Sequence, residues 1–302
     1  MNTQQSNSIL FFFLLSLVII SSCSEDDTGI DKTNDTTDIT GQVIENPEYE
    51  PTQLSEDTTN LFIEQGNKES DTVWIYEQGG PGITFPDDNL KFLPNNHKYH
   101  HIHAHQAQDY NTTLYTYNIT KEDAIIETNT SIEILKRIVH YFKSRGKMVV
   151  VIGNSYGSWI VLRYLSQYGS ETADKFVIMA GRLDMDYAFY SGFLQYKGMH
   201  FPDYITAVVG GQQPRAGHKG DRLEMLLIGV ICSDRNTEQL KDVDLTNMLI
   251  AYSKDDPLVG RLKEHELQFL TSKKATIIHA DGGHGGMWHE PYNEDVYNFI
   301  VK

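Results

Sequence analysis

Apolar and polar positions along this chain fall into two alternating rhythms. Thr72-Val73-Trp74-Ile75-Tyr76, Met148 to Ile152, Phe176 to Ala180, Met248 to Tyr252 and Ala275 to Ile278 are short runs of mainly apolar residues. Their length and their branched or aromatic content predict strands, and the Met148 run has the look of one buried on both faces. Between them the spacing becomes helical. Thr120 reads as an N-cap with Asp123 three residues on; Ile134, Leu135, Ile138, Val139 and Phe142 share one face, and Gly146 ends the element. Ser158 to Leu165 predicts a helix packed on the sheet, and Asn293 to Val301 a short closing one. Upstream, Leu61-Phe62-Ile63 and the Thr72 run predict an opening hairpin around Gly66-Asn67. Tyr99 to His105 predicts a third strand followed by a polar loop. Strands alternating with helices predict an α/β domain, a mostly parallel sheet covered on both faces.

Three stretches break these rhythms. Between Asp184 and Asp244 aromatic residues crowd together (Tyr187, Phe189, Tyr190, Phe193, Tyr196, Phe201, Tyr204) around a Gly/Gln/Pro loop at 210–220. This predicts a short lid at about 184–245, most of whose aromatics form its own small core. At the other end, Ile9 to Ile20 is apolar apart from Ser16 and too short to span a bilayer, and it closes in Ser21-Ser22-Cys23. That junction resembles the lipobox of bacterial lipoproteins, although Met1 to Ser8 lacks the usual Lys or Arg. The resemblance implies a signal peptide over 1–22, lipid on Cys23 and anchorage in the bacterial cell envelope. Glu25-Asp26-Asp27 also resembles a surface-export signal of some Gram-negative lipoproteins. From Ser24 to about Asp57 the only basic residue is Lys32, which predicts an acidic, solvated tether over 23–57. Residues 58–302 then suffice for one large α/β domain.

The formal net charge of −16 argues against nucleic acid as a partner. With Cys23 acylated, Cys232 has no partner for a disulfide, and its apolar surroundings predict a buried thiol.

The chemistry concentrates at strand ends. Gly153-Asn154-Ser155-Tyr156-Gly157 lies between the Met148 strand and the Ser158 helix, the context of a nucleophile elbow. A serine hydroxyl needs a base, an orienter for that base and donors for an oxyanion, and in this architecture the order is Ser, acid, His. Asp256, in Tyr252-Ser253-Lys254-Asp255-Asp256-Pro257-Leu258-Val259, is the candidate acid. Asp255 is the runner-up, Asp184 and Asp186 are substitutes, and an N-cap role before Pro257 fits Asp256 equally well. His284, inside Ala280-Asp281-Gly282-Gly283-His284-Gly285-Gly286, is the candidate base, with His279 and His289 as alternatives. Gln78-Gly79-Gly80-Pro81-Gly82 follows the Trp74 strand and exposes backbone N–H groups, so Gly80 and Tyr156 are the candidate oxyanion donors.

Together these motifs resemble the α/β-hydrolase superfamily over essentially all of Asn60 to Lys302, and within it the prolyl aminopeptidase group. That group has His-Gly-Gly-Pro-Gly where Gln78 to Gly82 stands, and Gly-Gly-Ser-Trp-Gly-Ser where Gly153 to Ser158 stands. Asn118-Ile119-Thr120 is similar to its Asn-Thr-Thr. The chain departs from it at Gln78, which replaces a histidine, and at His105-Gln106-Ala107-Gln108, near the place of an absent Asp-Gln-Arg-Gly. Carboxylates that would hold a substrate amine are not evident in the lid, where Glu224 is the candidate.

The expected activity is that of a serine hydrolase acting on a small ester or a short peptide without a cofactor. A second class of reading starts from His101, His103 and His105, which on a strand would share one face and could hold Zn²⁺ or Cu²⁺. A metal-binding lipoprotein, or a binding protein on a hydrolase fold that has lost turnover, are the alternatives to an enzyme.

Overall fold

The computed structural model describes residues 48–84, 89–211 and 213–302. The signal peptide expected over 1–22, Cys23 and the part of the expected tether up to residue 47 lie outside the described residues.

In chain order the elements are β1 (Phe62–Gly66), β2 (Thr72–Glu77), β3 (His100–Ala104), α1 (Ala107–Tyr110), α2 (Lys121–Lys143), β4 (Met148–Asn154), α3 (Tyr156–Tyr168) and β5 (Lys175–Met179). Then follow α4 (Tyr187–Leu194), β6 (Met199–His200), β7 (Val208–Val209), α5 (Lys219–Ile231), α6 (Asn236–Gln239), β8 (Met248–Ser253), α7 (Glu264–Ser272), β9 (Thr276–Ala280) and α8 (Tyr292–Val301). Among the described residues, seven strands form one sheet in the order β1-β3-β2-β4-β5-β8-β9. Only β1 runs antiparallel to its neighbour in it.

Side-chain alternation along the central strands splits the core in two. Val73, Ile75, Val149 and Val151 pack with α2 and α3 through Leu135, Ile138 and Leu162. Trp74, Tyr76, Val150 and Ile152 face the other way and pack with Val296 and Ile300 of α8. Both faces are therefore covered, which is why these strands read as unbroken apolar runs. The helix foreseen after Thr120 is α2. The Thr120 hydroxyl accepts the Asp123 N–H at 3.2 Å and the Asp123 carboxylate accepts the Thr120 N–H at 2.9 Å, a capping box.

Two expectations need correction. Strands β1 and β2 do not form a hairpin, because β3 lies between them. The Gly66-Asn67 turn binds β3 instead: Asn67 N–H donates to the Tyr99 carbonyl at 2.9 Å, and a Cβ on Gly66 would come within 2.4 Å of that oxygen. Strand β2 is buried along its length and takes parallel partners on both sides, whereas β1, largely exposed, stays at the edge. The stretch Tyr49 to Thr52, expected to be solvated, packs on the domain instead. Glu127 of α2 is fully buried, and its carboxylate accepts the Tyr49 hydroxyl at 2.7 Å and the Thr52 N–H at 3.0 Å. A buried carboxylate needs such donors, so this stretch packs on the domain.

Between β5 and β8 the chain forms α4, the small β6–β7 ribbon, α5 and α6. Phe189 meets Phe193 at 4.9 Å and Phe201 at 5.2 Å between ring centroids, but these rings join the core cluster under α2 and α3 rather than a separate small core, and Tyr187 and Tyr204 are exposed. Cys232 is buried and free, and burial pushes its thiol pKa up.

Candidate active site

Strand β4 runs into α3 through Ser155, whose backbone (φ 51°, ψ −116°) lies where non-glycine residues seldom sit. The flanking glycines are required by contact. A Cβ on Gly153 would come within 2.6 Å of the Gly157 carbonyl oxygen, and one on Gly157 within 2.3 Å of the Glu77 carbonyl oxygen. The turn is sharp enough to present the serine hydroxyl at the C-terminal edge of the sheet, beside the first turn of α3.

His284 sits in a 3-10 turn (Gly283–Trp288) after β9. Its Nε2 is 2.9 Å from Ser155 Oγ and its Nδ1 is 2.7 Å from Asp256 Oδ2. Asp256 is 1% exposed, and its other oxygen accepts the N–H groups of Leu258 (2.8 Å) and Val259 (3.2 Å). The cap role anticipated for Asp256 and its contact with His284 thus use different oxygens of one carboxylate. Asp255 turns elsewhere. It accepts the Ser253 hydroxyl and the N–H groups of Gly283 (3.0 Å) and Gly282 (3.3 Å), and these bonds hold its carboxyl below the usual range.

The other sequence candidates lie apart. Asp184 binds Thr237 and Asp186 pairs with Lys263. His279 is exposed and bonds the Tyr252 hydroxyl (2.7 Å), while His289 packs edge-on against Phe92.

Tyr156 is the first residue of α3, so its N–H has no carbonyl to meet within the helix. The loop Gln78–Gly82 runs across the elbow: a Cβ on Gly79 would come within 3.1 Å of Asn154 Nδ2 and 3.3 Å of Ser155 Cβ. Gly80 and Ser155 line the same cavity, of about 250 Å³. Its walls are mainly apolar (Trp159, Phe193, Met199, Met225, Ile228, Val259), with His200, Gln213, Asp221 and Glu224 as polar members. Glu224 accepts the Tyr115 hydroxyl at 3.2 Å, and burial raises its carboxyl pKa. The Arg215 side chain instead holds the Asp221 carboxyl well below its usual value.

One contact was not foreseen. Trp288, on the histidine turn, donates its indole N–H to Asn154 Oδ1 at 3.1 Å and so ties that turn to the residue before Ser155. Nothing in the local sequence of either residue signals this pairing.

The three alternate histidines do not converge. His101 stacks on Trp74 (5.4 Å) and bonds the Asn96 carbonyl (2.9 Å), while His103 meets Tyr76 edge-on. His105 lies beyond β3 and bonds Asp109 at 2.5 Å. Among the described residues no group of three His, Cys, Asp or Glu side chains stands where it could hold a metal ion.

No family model matches this sequence, and no curated protein matches it. Solved structures do resemble it. MGS-M2, an alpha/beta hydrolase enzyme from a Medee basin deep-sea metagenome library, is 12% identical, with 80% of this chain and 94% of that one covered at a TM-score of 0.50. A lipase-esterase related protein from Clostridium acetobutylicum is 16% identical over 79% of this chain and 98% of its own (TM-score 0.49). The esterase EaEST from Exiguobacterium antarcticum is 13% identical over 80% and 95% (TM-score 0.48). At such identities only the fold is carried over. The chain has the α/β-hydrolase fold.

Proposed function

We propose that the protein is a serine hydrolase that cleaves a small ester or amide through an acyl-enzyme. The observation that carries this reading is the line of contacts from Asp256 through His284 to Ser155, at 2.7 and 2.9 Å. In the first step Ser155 Oγ attacks the substrate carbonyl carbon while His284 Nε2 takes the hydroxyl proton. Asp256 keeps Nδ1 protonated and stabilises the imidazolium that forms. The N–H groups of Gly80 and Tyr156 receive the oxyanion. His284 then gives its proton to the leaving oxygen or nitrogen, whose bond to carbon breaks. Water, deprotonated by the same histidine, releases the acid and restores Ser155.

The cavity of about 250 Å³ with mainly apolar walls suits a short acyl group rather than a long chain. A second reading, an exopeptidase similar to the prolyl aminopeptidase group, is favoured by Glu224. Its carboxylate lines that same cavity and would meet a substrate amine. Steady-state hydrolysis of p-nitrophenyl acetate beside proline p-nitroanilide separates the two. Ester turnover lost in Ser155→Ala supports the first, and preferred anilide turnover lost in Glu224→Ala supports the second. A folded wild type that turns over neither would favour a binding role.

The apolar run ending at Cys23 supports anchorage in the cell envelope through lipid on that residue. No helix among the described residues is long and apolar enough to cross a membrane. Fatty-acid labelling in cells that is lost in Cys23→Ala tests the anchor.

A further inference from the structure

Behind the loop Gln78–Gly82 the chain buries a dense group of polar side chains. Glu77, Gln78, Gln106, Gln108 and Asp109 are each no more than 9% exposed. Hydrogen bonds join them. Gln78 Nε2 donates to Asp109 Oδ2 at 2.7 Å, and the Gln106 N–H reaches the same oxygen at 3.1 Å. Gln106 Nε2 donates to the Gln78 carbonyl at 2.9 Å and to Glu77 Oε2 at 3.4 Å, and Gln108 Nε2 donates to Gln106 Oε1 at 2.7 Å. Asp109 uses its second oxygen on His105 Nδ1. Gln78 is thus gripped by side chain and backbone together, two residues before Gly80. On its other side, the close approach of Gly157 to the Glu77 and Gln78 carbonyls presses the same segment against the elbow helix.

An apolar filling would support a wall that had no other task at lower risk. A buried polar network gains little net stability and costs a great deal when one member is missing. Directional contacts make sense where a backbone N–H must be kept at a fixed place beside a reacting atom.

We propose that Asp109 is a positioning residue for the oxyanion loop. By accepting the Gln78 Nε2–H, it fixes Gln78–Gly82 over the elbow so that the Gly80 N–H meets the substrate's developing oxyanion. The inference rests on Ser155 being the nucleophile. Burial raises the Asp109 carboxyl pKa, and the Gln78 Nε2–H calls on one acceptor oxygen of that group. What matters is the acceptor oxygen, which an asparagine retains.

The test compares Asp109→Ala, Asp109→Asn, Gln78→Met and the Asp109→Ala/Gln78→Met double variant in the full chain. Turnover of p-nitrophenyl acetate and amide exchange over residues 78–82 are both measured. Asp109→Ala and Gln78→Met should each lower kcat about 10- to 100-fold with KM within about twofold of wild type, because a small displacement of a donor costs that much. The double variant should be no worse than either single one, and Asp109→Asn should stay within about threefold of wild type. Exchange should quicken in the Ala and Met variants and not in Asp109→Asn. If Asp109→Ala fails to fold, Gln78→Met decides. Unchanged kcat in folded Gln78→Met, or equal losses in Asp109→Asn and Asp109→Ala, overturns the proposal. If the wild type hydrolyses nothing, the hydrolase reading has failed. Amide exchange then still judges the latch, and unchanged protection in Gln78→Met overturns it.

Discussion

Asp255 and Asp256 are adjacent in the chain and hold the same histidine at different points. Asp256 binds the His284 ring at Nδ1 (2.7 Å), whereas Asp255 binds the backbone just before it through the Gly283 N–H (3.0 Å). One orients the imidazole and the other fixes the turn that carries it.

The two carboxylates should therefore fail differently. Asp256→Asn should lower kcat by about 10³- to 10⁴-fold with little change in melting temperature, because it reverses the tautomer preference of His284. Asp255→Asn should cost about 10-fold or less in kcat, acting only by loosening the turn. Steady-state kinetics on both variants, with thermal melts, checks this pair.

Glycines of the two motifs differ in the same way. A Cβ on Gly157 would sit 2.3 Å from one backbone oxygen and 2.6 Å from another, while one on Gly285 meets nothing within 4 Å. Gly157→Ala should destabilise the fold by about 3 kcal/mol or more, since neither backbone atom can step aside. Gly285→Ala should melt within about 1 °C of wild type, as expected of a substitution that touches nothing.

Glu224 gives a pH dependence. Burial raises its folded-state pKa above the ordinary carboxyl value. A group raised in this way favours the folded state below its unfolded pKa, and that advantage is lost as pH rises through the folded value. Glu224→Gln should therefore raise the melting temperature at pH 8, and the gain should shrink toward pH 4, where wild-type Glu224 is protonated. A melting series across that window tests the sign.

The histidine strand predicts a negative result. His101 and His103 are engaged with Trp74 and Tyr76, and His105 with Asp109. Exhaustive dialysis against a chelator should leave both melting temperature and ester turnover unchanged.

How much could be read in advance followed from the range of the interactions. Strands β2, β4, β5 and β8 were legible because they are buried on both faces and their apolar runs are local. Ser155, Asp256 and His284 were legible because each sits at a strand end in a short motif, and the structure brings the three together. The choice between Asp255 and Asp256 stayed open because Pro257 leaves both compatible with a turn; the contacts with His284 and Gly283 distinguish them. The β1–β2 hairpin failed because a short turn between two apolar runs does not reveal that β3 inserts between them. The net joining Gln78 to Asp109 was illegible for a related reason: its two halves meet only because β2 and β3 are neighbours in the sheet. The packing of Tyr49 and Thr52 depends on Glu127, whose burial no local pattern announces.

The measurement closest to the central claim is covalent labelling of the folded protein by a fluorophosphonate, which reacts only with an activated serine. Wild type should be labelled stoichiometrically, and Ser155→Ala and His284→Ala should not be labelled at all. Labelling that persists in Ser155→Ala, or a folded wild type that does not react, would contradict the account.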